Sequence, residues 1–174
     1  MEKLLVKFGC DVNEVDIYGR TPAYWAIQEN NLECLKILYE NGANFEIRSY
    51  KNSTLLSYAV GEGNIEIVKY LLEVGLKKYI NDNIQPPLLL AVHWLHMDVI
   101  KLLIENGADL NIKDELGNTP LIDSIENGNY EITSLLLQYG ANMNIQNKDG
   151  EYANELIDKK FKQIQKLLKI ENNT

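Results

Sequence analysis

Histidine, cysteine, proline and phenylalanine are all scarce in this chain, and no long apolar run interrupts it. Two histidines, His93 and His96, and two cysteines, Cys10 and Cys34, stand among 174 residues. Ligands so few and so spaced give no zinc motif, and neither cysteine lies near a histidine that could activate it. No Ser/His/Asp arrangement can be assembled and no glycine loop suited to cradling phosphate is present. The expectation is therefore no catalytic residue, no metal and no cofactor. No stretch is long and apolar enough to cross a bilayer. The opening MEKLLVKFGCD has no seven-residue apolar run followed by a cleavage site. A cytoplasmic protein with reduced, largely buried cysteines is expected. Basic residues are outnumbered, 17 against 25 acids, for a net charge of −8. Nucleic-acid binding needs a basic footprint, so that class of ligand is excluded, as is a membrane role.

What the chain does have is a period. Gly107-Ala108-Asp109-Leu110-Asn111 returns 33 positions later as Gly140-Ala141-Asn142-Met143-Asn144. Gly9, Gly42 and Gly75 precede them at steps of 33, 33 and 32. Thr21, Thr54, Pro86, Thr119 and Tyr152 follow the same rhythm. Self-similarity at such a period outranks any local reading, because each unit is a supersecondary element that buries its apolar face only against its neighbours. A hydrophobic content of 45% supports that burial and argues against disorder.

Within one period the order is constant: Gly117-Asn118-Thr119-Pro120-Leu121, a short helical run, an Asn or Gly turn, a second apolar helix, then G-A-D-x-N. This pattern resembles the ankyrin repeat, and Gly19-Arg20-Thr21-Pro22-Ala23 matches it in part. The family's histidine after Thr-Pro-Leu is missing, its place taken by Tyr24, Ser57, Leu89 and Ile122. The resemblance covers essentially the whole chain. It implies an all-α solenoid of helix-turn-helix units with hairpin loops, roughly four full repeats plus a partial N-terminal one. As a single domain over residues 1–174, it divides into a partial repeat at 1–13, repeats at 14–47, 48–80, 81–112 and 113–145, and a C-terminal capping repeat at 146–174.

The units differ in regularity. Thr21 and Pro22 suit an N-cap and first helical position, and Asn30-Asn31 suits the turn between helices. Repeat two ends in Gly75-Leu76-Lys77-Lys78-Tyr79, a departure from G-A-D-x-N. Repeat three is one residue short in its hairpin and carries Leu95 where Gly63 and Gly128 stand. A branched residue is costly at positive φ, so that turn is expected to be remodelled. Lys159, Lys160, Lys162, Lys166 and Lys169 make the last helix basic, first of all a polar cap to the array.

In ankyrin repeats the hairpin tips and the exposed side of each first helix line a concave face and vary with the partner. Carried over position by position, that face holds Tyr18, Trp25, Glu29, Tyr50, Tyr58, Glu62, His93, Trp94, Glu115, Asp123 and Glu126. Ala26, Ala59, Ala91 and Ser124 are small, as close helix packing requires, and belong to the scaffold. The candidates form a gradient, aromatic in the first three repeats and acidic in the fourth. Exposed aromatics are the usual anchors of an interface, and acids beside them favour a basic partner. Against this stands a purely structural reading, in which Trp25 and Tyr58 merely cover the helices beneath them.

The resemblance thus implies a non-catalytic protein-binding module, monomeric, whose partner is another protein with a basic surface. Two further readings stay open. One is an acidic inhibitor or immunity protein neutralising a basic toxin or nuclease. The other is a regulatory fragment of a larger enzyme or channel.

Overall fold

The computed structural model describes residues 11–160. Met1 to Cys10 of the partial first repeat, with Cys10, and Lys162, Lys166 and Lys169 of the basic helix lie outside the described residues.

Two kinds of tight turn, each needing a left-handed residue, cut the sequence into helices. The first kind separates the two helices of a repeat. There Asn30, Gly63, Leu95 and Gly128 take φ of +52°, +74°, +62° and +69°. The following amide reaches back over the end of the first helix: Asn31 N to Ala26 O at 2.8 Å, His96 N to Ala91 O at 2.9 Å, Asn129 N to Ser124 O at 2.9 Å. The second kind closes the repeat at Gly42, Gly107 and Gly140, whose following alanine amides donate to Leu38, Leu103 and Leu136 at 2.9–3.0 Å. Between these turns run α1 (Pro22–Gln28), α2 (Leu32–Glu40), α3 (Leu55–Gly61), α4 (Ile65–Glu73), α5 (Pro87–His93), α6 (Met97–Glu105), α7 (Pro120–Glu126) and α8 (Tyr130–Gln138). Residues 153–160 are helical as well, and we label them α9. No strand occurs among the described residues, only an isolated antiparallel bridge between Gln146 and Tyr152. The architecture is all-α.

The chain forms two compact units, Met1–Ala108 and Asp109–Thr174. In the first, α1 packs on α2 and α3, α3 on α4 and α5, and α4 on α6. In the second, α7 packs on α8. Close approach of first helices depends on the small column: Ala59, Ala91 and Ser124 are fully buried and Ala26 nearly so. Around them Leu35, Ile67, Leu71, Ile100, Leu103, Ile132 and Leu136 are completely enclosed. Each such side chain contributes about 1.5–3 kcal/mol of hydrophobic stabilisation, so the stacked seams carry the fold.

Three expectations from sequence need correction. Leu95 does not remodel its turn: it accepts φ +62°, and Leu95 N to Val92 O at 3.1 Å completes the same motif as its counterparts. The side chain is half exposed, so nothing forces the backbone elsewhere. Thr21 holds an extended N-cap backbone but its hydroxyl makes no capping bond, whereas Thr54 accepts from Ser57 N and Thr119 from Ile122 N. Cys34 is only partly buried, unlike Ile67, Ile100 and Ile132 in its column.

Irregular stretches of sequence are irregular in space. After Gly75 the chain makes a 3-10 turn, Leu76–Tyr79, which buries Leu76 in the alanine position. The short hairpin of repeat three closes through a side chain: the Asp82 carboxylate accepts from the amides of Ile84 and Gln85 at 3.1 and 3.0 Å. Asp82 is buried and also pairs with the Arg48 guanidinium. Burial alone would raise its pKa, but Arg48 and the two amides outweigh that and hold it below the usual carboxylate value.

Candidate functional site

The hairpin tips are built from Asx turns. Asp16 accepts from Tyr18 N and Arg20 N at 2.8 and 3.0 Å. Asp114 does the same for Leu116 N and Asn118 N, and Asn147 for Asp149 N and Glu151 N. Acceptor side chains at this position fix the loop and leave the two or three residues inside it pointing to solvent. Neighbouring tips are joined through main chain, Tyr50 N to Tyr18 O in the first unit and Lys148 N to Leu116 O in the second, both at 2.9 Å, and in the second unit also by Asn147 Nδ2 donating to Asn118 Oδ1 at 3.0 Å. Such approach needs Gly19: at φ +73° a Cβ there would lie 2.5 Å from the Tyr50 ring and 2.7 Å from its amide nitrogen.

In the first unit Tyr18, Tyr50 and Tyr58 gather round one cavity of about 520 Å³ between the tips of repeats one and two. Tyr18 and Tyr50 are 56% and 71% exposed, which sets them apart from core tyrosines. Tyr58 is half-buried, its ring edge-on to Tyr24 at 5.2 Å and its hydroxyl 3.2 Å from Gln28 Oε1. Tyr24 forms the cavity's inner wall. Its hydroxyl donates to Ser53 O at 2.6 Å, and burial pushes its pKa up to about 12. Together with Ser57, whose hydroxyl donates to Gln85 O at 2.7 Å, it shows a side chain in the missing-histidine column tying one repeat to the next.

Trp25 does not line this cavity, but Arg20 links it there. The guanidinium sits 4.2 Å from the Trp25 ring centre and 4.9 Å from that of Tyr18, and it is paired with Asp16 at 2.9 Å. Trp25 therefore offers one face to solvent and one to Arg20. Glu29 and Glu62 cap the ends of α1 and α3 and are exposed, with Glu62 close enough to Tyr58 to help raise its pKa after burial. His93 and Trp94 pack edge-to-face at 5.0 Å on the end of α5, exposed and outside the cavity.

The second unit carries the acidic residues. Glu115 is exposed at a tip, and Asp123 is partly buried on α7 with Asn127 Nδ2 at 3.2 Å. Glu126 ends α7, and its pKa is raised, first by partial loss of solvent and then by the carboxylates of Glu151, Asp123 and Asp114, against the pull of Lys160. Lys160 answers by donating to Glu126 O at 3.1 Å, and Lys159 pairs with Glu151 at 3.3 Å. Among the described residues no group of three or more His, Cys, Asp or Glu side chains could hold a metal ion, and no helix is long and apolar enough to cross a membrane.

His96 lies in the first unit with Nε2 3.0 Å from Gly61 O. Its ring fills the space above Gly63, where a Cβ would come within 2.4 Å. Sequence reasoning missed the Asx column and the stacking of Arg20. An aspartate, asparagine or serine just before each tip was the available signal for the first. Nothing in the sequence signals the second.

The family described as ankyrin repeats (3 copies) matches residues 1–82 and 56–147. An ankyrin repeat protein of Fowlpox virus (strain NVSL) is 33% identical over 119 residues, covering 68% of this chain and 17% of that protein. An ankyrin repeat protein of Acanthamoeba polyphaga mimivirus is 38% identical over 115 residues, 61% of this chain and 26% of its own length. The human transient receptor potential cation channel subfamily A member 1 is 29% identical over 137 residues, 75% of this chain and 12% of the channel. The chain thus spans about a quarter or less of each of these relatives.

Proposed function

The chain belongs to the ankyrin repeat family, and from that premise we propose that it is a non-catalytic docking module for another protein, bound on the concave face of the array. Repeats of this family generally mediate protein–protein interaction. The observation that carries the finer reading is the exposure of Tyr18, Trp25, Tyr50 and Trp94 at 56%, 44%, 71% and 58%, in positions the packed scaffold does not use. Large aromatics on tips and first helices anchor a partner, while Glu115, Asp123 and Glu126 in the second unit favour a basic surface. In this reading the repeats at 14–47, 48–80, 81–112 and 113–145 serve as one recognition domain of a monomeric, intracellular protein.

The test is binding of a partner isolated by cross-linking from the native cell. Trp25→Ala and Trp94→Ala are each expected to weaken binding by about 2 kcal/mol. Glu126→Lys is expected to slow association, with a loss that shrinks as salt rises. Circular dichroism should show all three variants folded. Unchanged affinity in all three would place the partner elsewhere.

A second reading is favoured by the comparisons. The relatives carry the matched segment inside far longer chains, which supports reading this chain as a regulatory fragment of a larger enzyme or channel. The full-length transcript decides that point.

A further inference from the structure

Charge runs against the trend of the molecule at the first two tips. The chain carries a net charge of −8. Yet the described residues lining the 520 Å³ cavity between the first two tips include two cations, Arg20 and Lys51, and no carboxylate. The remaining wall is tyrosine, hydroxyl, amide and the exposed Ile17. A cavity of this volume falls in the range of sites that bury small ligands, about 300–1,000 Å³, and exceeds what one side chain needs.

The two cations are not equivalent. Arg20 is matched by Asp16 and covered by the rings of Tyr18 and Trp25. Those ring faces are the ones that would otherwise draw a cationic guest. Lys51, exposed on the tip beside Tyr50, makes no ion pair among the described residues. The cavity therefore presents aromatic walls and one positive charge without an ion-pair partner among the described residues, while the nearest carboxylates, Asp16 on Arg20 and Glu62 beside Tyr58, lie outside its lining.

We propose that this cavity receives a peptide segment of the partner that pairs an aromatic or large aliphatic side chain with a neighbouring Asp or Glu. The apolar side chain enters between Tyr18, Tyr50 and Tyr58, and the carboxylate meets Lys51. This rests on the docking reading above and gives its aromatic half a ligand chemistry opposite to that of the acidic second unit.

The test uses the full chain and three probes: the acetylated, amidated peptides Ala-Glu-Leu-Phe-Glu-Ala, its Lys-for-Glu counterpart, and its Ala-Ala-for-Leu-Phe counterpart. Calorimetry gives affinity and NMR reports the tyrosine rings. The first peptide is expected to bind, shifting the Tyr18, Tyr50 and Tyr58 rings, and each counterpart to bind on the order of tenfold more weakly. Lys51→Glu is expected to lower affinity for the Glu peptide by a similar factor and to raise it for the Lys peptide. Lys51 is exposed, so the variant should fold as the parent does. Failure of the Glu peptide to bind, equal binding of the charged peptides, or ring shifts confined to other tyrosines overturns the inference. The docking reading would stand, since it is judged on Trp25→Ala and Trp94→Ala with the native partner. Self-association in sedimentation that Lys51→Glu abolishes would also overturn the inference, by making a second copy the occupant.

Discussion

Leu95 permits a clean measurement of backbone strain against side-chain packing. It sits at φ +62° in a turn where two equivalent positions are glycine, and its side chain is 52% exposed. The left-handed conformation costs an L-residue about 1–2 kcal/mol. Glycine escapes that cost but gives the unfolded chain more freedom, which takes back about 0.5–1 kcal/mol. Half-burial of a leucine is worth at most about 1 kcal/mol. Two variants separate these contributions. Leu95→Ala keeps the strain and removes the packing, so it should be less stable than the parent by up to about 1 kcal/mol. Leu95→Gly removes both and should exceed Leu95→Ala by about 1 kcal/mol, ending between level with the parent and about 1 kcal/mol above it. Urea unfolding at constant slope measures this, and a gap of about 1 kcal/mol corresponds to roughly 2–4 °C in Tm for a chain this size. If Leu95→Gly is no more stable than Leu95→Ala, positive φ is not costing the fold anything at this turn. The account of its strain would then be wrong.

Asp82→Asn should destabilise the first unit by about 1–3 kcal/mol near neutral pH, since it leaves Arg48 without its partner while keeping an acceptor for the turn amides. Because the folded pKa of Asp82 is lowered, its contribution is present above the unfolded value of about 3.9 and is lost as pH falls through the folded one. The difference between parent and variant in denaturant titrations should therefore shrink as pH falls below the unfolded value, and a pH-independent difference would refute the ion pair. Gly63→Ala should cost about 2 kcal/mol, because the new Cβ is strained at φ +74° and meets the His96 ring. Adding His96→Ala should recover only the steric part, and full recovery in thermal unfolding would show that the left-handed turn imposes no constraint.

The features legible in sequence are those where one residue type answers one backbone demand. Gly42, Gly107 and Gly140 recur because the repeat must reverse through a left-handed residue, and Ala59 and Ala91 recur because helices touch there. Leu95 was recognised as misfit, but the expectation that its turn would change neglected the two main-chain bonds around it and the anchoring of His96 on Gly61 O, which outweigh strain at one residue. The Asx column is not obvious in sequence because serine stands in at position 49 and asparagine at position 147. At the candidate site most of the residues named from sequence are exposed, Tyr58 and Asp123 being partly buried, and which of them meet is not legible in sequence. The grouping of Tyr18, Tyr50 and Tyr58, and the separation of His93 and Trp94 from them, depends on rotamers and loop closure. Neither leaves a trace in residue order.

The bonds from Tyr50 N to Tyr18 O and from Lys148 N to Leu116 O involve no side-chain atom. The register between neighbouring tips is thereby insulated from the identity of the residues displayed on them. Positions 17, 18, 50 and 51 in one unit, and 115, 116, 148 and 149 in the other, can be diversified together in a combinatorial library, with Gly19, Gly117, the turn-closing Asp16, Asp114 and Asn147, and Asn118 held constant. Selection from such a library would act on the contact surface alone, leaving the stacked helices as an unaltered chassis.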